Sequence, residues 1–317
     1  MALQRKLREV GHWLASRAKP RCGALLYHRV DEPENDPFRL CVSPEYFAGH
    51  MESLALSGRA LSVPKLQEHL SDGELPSGKI AVTFDDGYLD NLEVALPILE
   101  QFEIPATLFV TTGNLGQPFW WDRLANLILL APNLPELLSF PSSSKSIPTT
   151  SKTRRELFDY ITLELRQRAP AFREEILKTW ESLIDAPSLA PQQRCQSEEE
   201  LKRFAQHPLI EIGAHSVTHS RLLALPYEKQ AEEIKTSADR LAKITGTEVT
   251  ILSYPFGLRG RDFNGDTIAA AKESGITQAF AANRGVITSD SDGYALPRLW
   301  IHNRDHTAFQ TEIDRWV

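Results

Sequence analysis

The sequence predicts an α/β fold built on a parallel sheet or barrel. Strand-like and helix-like stretches alternate through the first third of the chain and again beyond residue 205. The run Ile80-Ala81-Val82-Thr83-Phe84 has the branched, apolar pattern of a buried strand and ends directly in Asp85-Asp86-Gly87. A second run, Ile210-Glu211-Ile212-Gly213-Ala214, ends in His215-Ser216-Val217-Thr218-His219. Two strand-like stretches that end in carboxylates and imidazoles suit the C-terminal edge of a parallel sheet, where ligands and catalytic groups collect.

The chain has 317 residues, 42% of them hydrophobic and 24% charged, with a net charge of −7. That length allows one large barrel or two smaller domains, and the composition is that of an ordinary globular protein. The acidic balance gives no basic surface for nucleic acid. Cys22, Cys41 and Cys195 have no metal-ligand spacing and are expected as free buried thiols. No stretch reaches the roughly 18 apolar residues that a transmembrane helix needs. Leu3, Leu7, Val10 and Leu14 fall at helical spacing in a basic N-terminus that lacks the apolar core of a secretory signal. We read it as a short docked helix in preference to a membrane-surface anchor. The expected location is therefore cytoplasmic, with a loose peripheral membrane contact as the other option.

In order along the chain, residues 23–30 form a first strand that ends in His28-Arg29. Ser43-Pro44-Glu45 opens a helix with a cap, a proline at the first helical position and an early acid, and Phe47, Met51, Leu54 and Leu56 are its expected buried stripe. Residues 60–63 are expected as a short strand and 63–73 as a helix, followed by the strand at Ile80. Residues 91–102 read as a helix that Pro97 kinks or restarts, and 105–110 as the next strand. The alternation then stops. Residues 118–205 read as a helical insertion within one domain, with helices near 124–130, 154–168, 172–183 and from Ser197, and a polar surface loop at 141–153. Strand–helix order resumes at 209–212, with a long helix at 227–245, strands at 249–257, 278–281 and 296–302, and a helix at 267–274.

Catalytic zinc sites commonly combine three His or carboxylate ligands with an open position for water. His215, His219 and one of Asp85 and Asp86 would supply such a set. The other carboxylate would then be free to act as a general base. Two imidazoles and one carboxylate favour zinc, with cobalt, manganese and nickel as the other options.

These motifs resemble those of the polysaccharide deacetylases of the NodB-homology type, carbohydrate esterase family 4. Thr83-Phe84-Asp85-Asp86-Gly87 and His215-Ser216-Val217-Thr218-His219 are similar to the first two motifs of that family in full, and Tyr254-Pro255-Phe256-Gly257 to the third in part. The resemblance covers about residues 22–112 and 206–302. It implies a distorted (β/α) barrel, a divalent metal held by Asp86, His215 and His219, and Asp85 as general base. It further implies substrate contacts from Tyr254, Pro255 and Phe256, with a backbone N–H near Phe256 for the oxyanion. The implied reaction removes an N-acetyl group from an amino sugar, so the expected partner is an acetylated carbohydrate.

Two positions depart from the family pattern. Where the third motif usually begins with a base-orienting arginine, this chain has Ser253, and Arg298 in Leu296-Pro297-Arg298 is the candidate replacement. The late histidine motif survives only weakly in Ile301-His302-Asn303, so His28 is favoured over His302 as the general acid. Trp120 and Trp121 suit either a sugar platform or helix packing. A catalytically inactive glycan-binding or scaffold protein and a metal phosphoesterase are the alternatives. Against the first stand the intact carboxylates and histidines. Against the second stands the lack of a phosphate-cradling glycine loop or of a basic cluster near the motifs in sequence.

Overall fold

The computed structural model describes residues 20–141 and 146–317. The expected N-terminal helix lies outside the described residues. Seven parallel strands close into a barrel, and around the barrel they follow chain order. We number them β1 (Gly23–Tyr27), β2 (Ile80–Phe84), β3 (Ala106–Val110), β4 (Ile210–Ala214), β5 (Ile251–Ser253), β6 (Gln278–Arg284) and β7 (Leu296–Trp300). The strand β1 pairs with β2 on one side and with β7 on the other. The distortion has two sources. Between β4 and β5 the only register pair is Ala214 with Leu252, and β6 shifts register against β7 between Phe280 and Arg284.

Local chemistry sets the helices. Ser43 caps α1 (Pro44–Leu56) and Ser62 caps α2 (Val63–Asp72), each with proline in the first turn. The second cap displaces the strand expected at residues 60–63, where only a single bridge joins Ala60 to Ile80. Leu56 is 83% exposed, because it lies at the end of α1, past the buried stripe of Phe47, Met51 and Leu54. Pro97 restarts its helix as expected: a π-helical turn at Asn91–Ala95 gives way to α3 (Leu96–Phe102). The first strand breaks at His28, after which Arg29–Val30 pair with Cys41–Val42.

Between β3 and β4 run α4 (Trp120–Ala125), α5 (Arg154–Arg166), α6 (Pro170–Glu181) and α7 (Glu198–Ala205). Thr153 with Glu156 and Ser197 with Glu200 form reciprocal capping boxes on α5 and α7. The expected loop at 141–153 instead contributes Ser146–Pro148 to a hairpin with Leu137–Ser139. The long α8 (Tyr227–Thr245) ends at a left-handed Gly246. Next come α9 (Gly265–Glu273) and α10 (His306–Trp316), the latter a helix not foreseen from its sparse apolar stripe of Phe309 and Ile313. The three cysteines are buried free thiols. No helix of the described residues is long and apolar enough to cross a membrane.

Candidate active site

The barrel ends bring the two motifs together. Asp85 and Asp86 follow β2, and the histidine loop follows β4. Asp86 has φ 75° and Gly87 has φ 91°, so the chain turns sharply as it leaves β2. Four of the six non-glycine residues with positive φ among the described residues belong to this region: Asp86, Ser216, His219 and Phe256. Such backbone costs about 1–3 kcal/mol per residue and persists only where the surroundings impose it.

The surroundings here are specific. Two residues past the end of β3, Thr112 donates its N–H to the Ser216 carbonyl at 3.2 Å, and Gly113 donates to the Val217 carbonyl at 2.7 Å. Gly113 is required for this approach, since a Cβ there would collide with the Val217 carbonyl oxygen. From α8, Glu233 accepts the Val217 and Thr218 N–H groups at 2.9 and 2.8 Å and the Thr218 hydroxyl at 2.7 Å. The histidines therefore converge from a braced loop and not from a helix.

Asp86, His215 and His219 each offer one ligand atom, and these atoms lie within 4.8 Å of one another. His215 Nε2 is 3.6 Å and His219 Nε2 is 3.3 Å from Asp86 Oδ1. That Oδ1 is buried and accepts no hydrogen bond among the described residues. His215 Nδ1 lies 2.7 Å from the Ser253 carbonyl, which fixes the ring and presents Nε2 to the cluster. Burial and then the Asp85 charge push the Asp86 carboxyl well up, while burial and the neighbouring His215 push His219 well down. An orphaned carboxylate oxygen facing two imidazole nitrogens fits a divalent cation, and the donor set suits zinc.

Asp85 is held differently. Arg298 of β7, 1% exposed, donates from Nη1 to Oδ1 at 2.8 Å and from Nη2 to Oδ2 at 2.7 Å. The same guanidinium donates to the Ala281 carbonyl at 3.0 Å and to the Thr83 hydroxyl at 3.1 Å. Ser253 accepts from Nη2 at 2.7 Å and donates its hydroxyl to Asp85 Oδ2 at 3.0 Å. The serine thus bridges the acid and an arginine supplied from another strand. Burial works against the Asp85 charge, but Arg298 outweighs it, with His215 adding, and holds the carboxyl well below the usual range.

A cavity of about 200 Å³ opens over these groups and is lined by His28, Trp120, Trp121, Phe256 and Trp300 as well. Burial, against the opposing charge of Asp85, lowers the His28 imidazole to about 4. His302 lines a different hollow beside Asp31 and Arg304. Trp300 stands between the two, 5.6 Å from the His28 ring and 5.5 Å from the His302 ring. Trp121 stacks on Phe119 at 4.3 Å, lies 4.9 Å from His219 and donates its indole N–H to Tyr88. Tyr88 in turn donates to Asp122 at 2.7 Å. The indoles are walls of the cavity and largely buried, so packing takes most of their surface. Phe256 presents its ring to the cavity 4.8 Å from His219, while Tyr254 stacks on Phe263 and does not line the cavity. Pro255 is buried and outside the cavity lining as well.

Sequence reasoning missed Glu233, because nothing in an amphipathic helix marks which exposed-face acid reaches a loop. It also missed Arg166 and Arg261, which line the cavity from α5 and from the segment after β5. The basic cluster absent near the motifs in sequence is assembled in space.

A closed parallel barrel with paired carboxylates and histidines at its strand ends defines a hydrolase of the polysaccharide-deacetylase class. The chain belongs to the polysaccharide deacetylase family, whose model matches residues 72–279. It is 24% identical over 306 residues to the poly-β-1,6-N-acetyl-D-glucosamine N-deacetylase of Staphylococcus epidermidis, covering 92% of this chain and 82% of that one. The Streptococcus pyogenes deacetylase PplD, solved in complex with acetate, superposes with TM-score 0.62 at 19% identity over 93% of this chain and 99% of that one. IcaB from Ammonifex degensii does so with TM-score 0.61 at 17% identity over 93% and 97%. These structural likenesses attest the shared barrel.

Proposed function

We propose that the protein is a metal-dependent N-deacetylase of an amino-sugar glycan or a lipid-linked sugar. The observation that carries this is the division of labour between adjacent carboxylates: Asp86 faces two histidines with an unpaired oxygen, and Asp85 is clamped by Arg298. In this reading Asp86, His215 and His219 hold the ion, zinc by preference. A divalent cation there would act as a Lewis acid toward the amide carbonyl and water. Asp85 stays ionised under the Arg298 charge and takes the proton of the attacking water. His28 is neutral in the resting cavity; the proton that Asp85 takes from the water passes to it and on to the departing amine, which returns both groups to their starting state. A backbone N–H near Phe256 receives the oxyanion, with the left-handed Phe256 backbone setting its direction. The name of the S. epidermidis relative, and the acetate in PplD, support acetamide chemistry.

The test is acetate release from N-acetylglucosamine oligomers, with and without chelator, for the wild type and Asp85→Asn. Release that chelator abolishes, zinc restores and the variant lacks supports the proposal. Activity on a phosphate ester with none on any acetamide would replace it by a phosphoesterase. Stoichiometric metal binding with no activity on either would leave a glycan-binding protein.

A further inference from the structure

Two arginines on the helices between β3 and β4 stand against the aromatic walls of the cavity without ion-pair partners of their own among the described residues. Arg166, the last residue of α5, lines the cavity, and its guanidinium lies 5.1 Å from the Phe256 ring and 5.6 Å from the Phe38 ring. Its buried Nε has no hydrogen-bond partner among the described residues. The acid whose charge reaches it, Asp262, is already engaged by Arg221 at 3.2 Å and Arg261 at 3.0 Å. Two guanidiniums therefore already pair with the carboxylate that only reaches Arg166 by its charge, and one of them, Arg261, lines the cavity too. Arg173 of α6 is 4% exposed, lies 5.1 Å from the Trp120 ring and forms no ion pair among the described residues.

This is an unusual surplus of positive charge for a chain of net charge −7. Contact with aromatic faces is a weak attraction and leaves the Arg166 Nε–H unpaired. A guanidinium that lines a cavity with a donor unpaired suits a carboxylate or phosphate, which it can grip through two parallel bonds. Phe256 touches both groups: its ring is 4.8 Å from the His219 ring and 5.1 Å from the Arg166 guanidinium. The arginine thus stands within two contacts of the metal-ligand cluster.

We infer that the substrate carries an anionic group, carboxylate or phosphate, about one sugar position from the reacting acetamide, and that Arg166 and Arg261 receive it. The inference rests on the deacetylase reading and adds a charge to its substrate. It also gives the helical insertion a purpose, since α5 delivers the arginine that selects among acetylated sugars.

The experiment compares three N-acetylglucosamine tetramers: neutral, carrying one 6-phosphate, and with one unit replaced by a uronic acid. The expected result is a kcat/KM for one charged tetramer at least about tenfold above the neutral one, lost in Arg166→Met and partly kept in Arg166→Lys. The two charged arms separate phosphate from carboxylate. A general loss of structure in Arg166→Met would lower all three together and leave their ratio intact, which would overturn the inference, as would a wild type that favours the neutral tetramer. Calorimetric binding of inorganic sulfate gives a second readout that needs no turnover. Sulfate held at least about tenfold more weakly by Arg166→Met supports the inference, and equal binding refutes it. Acetate release from the neutral tetramer judges the deacetylase reading by itself, so the two can fail separately.

Discussion

Glu233 lies in no motif, yet the geometry makes it the brace of the histidine loop. Its carboxylate accepts three hydrogen bonds from Val217 and Thr218, the residues between the two metal-facing histidines. Bonds to a charged acceptor contribute about 1.5–3 kcal/mol each when buried. These are partly buried, and water can replace some of them, so Glu233→Ala should cost about 2–4 kcal/mol in denaturant unfolding. The loop would then lose one of the two supports that hold Ser216 and His219 in left-handed backbone, the other being Thr112 and Gly113. Loss of such outer support usually weakens metal binding by about 10–100-fold, and that is the expected change in zinc affinity measured by calorimetry. Glu233→Gln, which keeps a carbonyl oxygen for the backbone N–H groups, should recover part of both losses. Zinc affinity within about threefold of wild type in Glu233→Ala, below the range expected for a supporting residue, would refute the brace and assign the loop geometry to Gly113 and Thr112 alone.

Arg298→Met should remove deacetylase activity and destabilise the fold by about 3–5 kcal/mol, because it leaves the Asp85 carboxylate buried without its cation. Adding Asp85→Asn to it should restore much of the stability and none of the activity; an equally unstable double variant would show that Arg298 acts through packing. Zinc at about 100 times its Kd should stabilise the wild type by about 2.7 kcal/mol, and Asp86→Asn should abolish the gain in a thermal-shift assay. Glu211 on β4 has its carboxyl raised to about 7 by burial, with the Thr107 hydroxyl bond opposing. A folded pKa above the unfolded value of about 4.3 means that the stability is fully present below pH 4.3 and is lost as pH rises through 7, to a limit of roughly 4 kcal/mol. Glu211→Gln should therefore flatten the fall in unfolding free energy between pH 5 and pH 8, and an unchanged slope would assign it to other groups.

What the sequence made legible was local. A strand that runs into Asp85-Asp86-Gly87 and a strand that runs into His215 and His219 announce themselves within a few residues, and so do the Ser43 and Ser197 caps. What it concealed was relational. Sequence reasoning names Arg298 as the replacement for the arginine missing at Ser253, but not that the serine itself accepts from Arg298 and donates to Asp85. Glu233 and Arg166 sit on amphipathic helices whose polar faces carry many equivalent charges, and only the closure of the barrel selects those that meet the site. The hairpin at Leu137–Ser139 and Ser146–Pro148 was hidden for another reason: each strand is three residues long with one buried side chain, too short for a period to show. The π-helical turn at Asn126–Leu130 likewise keeps the apolar spacing of an α-helix.

The Arg298–Asp85 pair joins residues 213 positions apart. Between β1 and β7 the barrel seam has two register pairs, Leu25 with Leu299 and Leu26 with Trp300, against five between β1 and β2. The ion pair crosses over that thin seam like a latch. A chain emerging from the ribosome presents Asp85 long before Arg298 exists, and until the last strand arrives the acid is an ordinary carboxyl open to water. Burial and permanent ionisation come in one event, the shutting of the barrel. A fragment cut short of β7 would lack Arg298, and with it the clamp on Asp85.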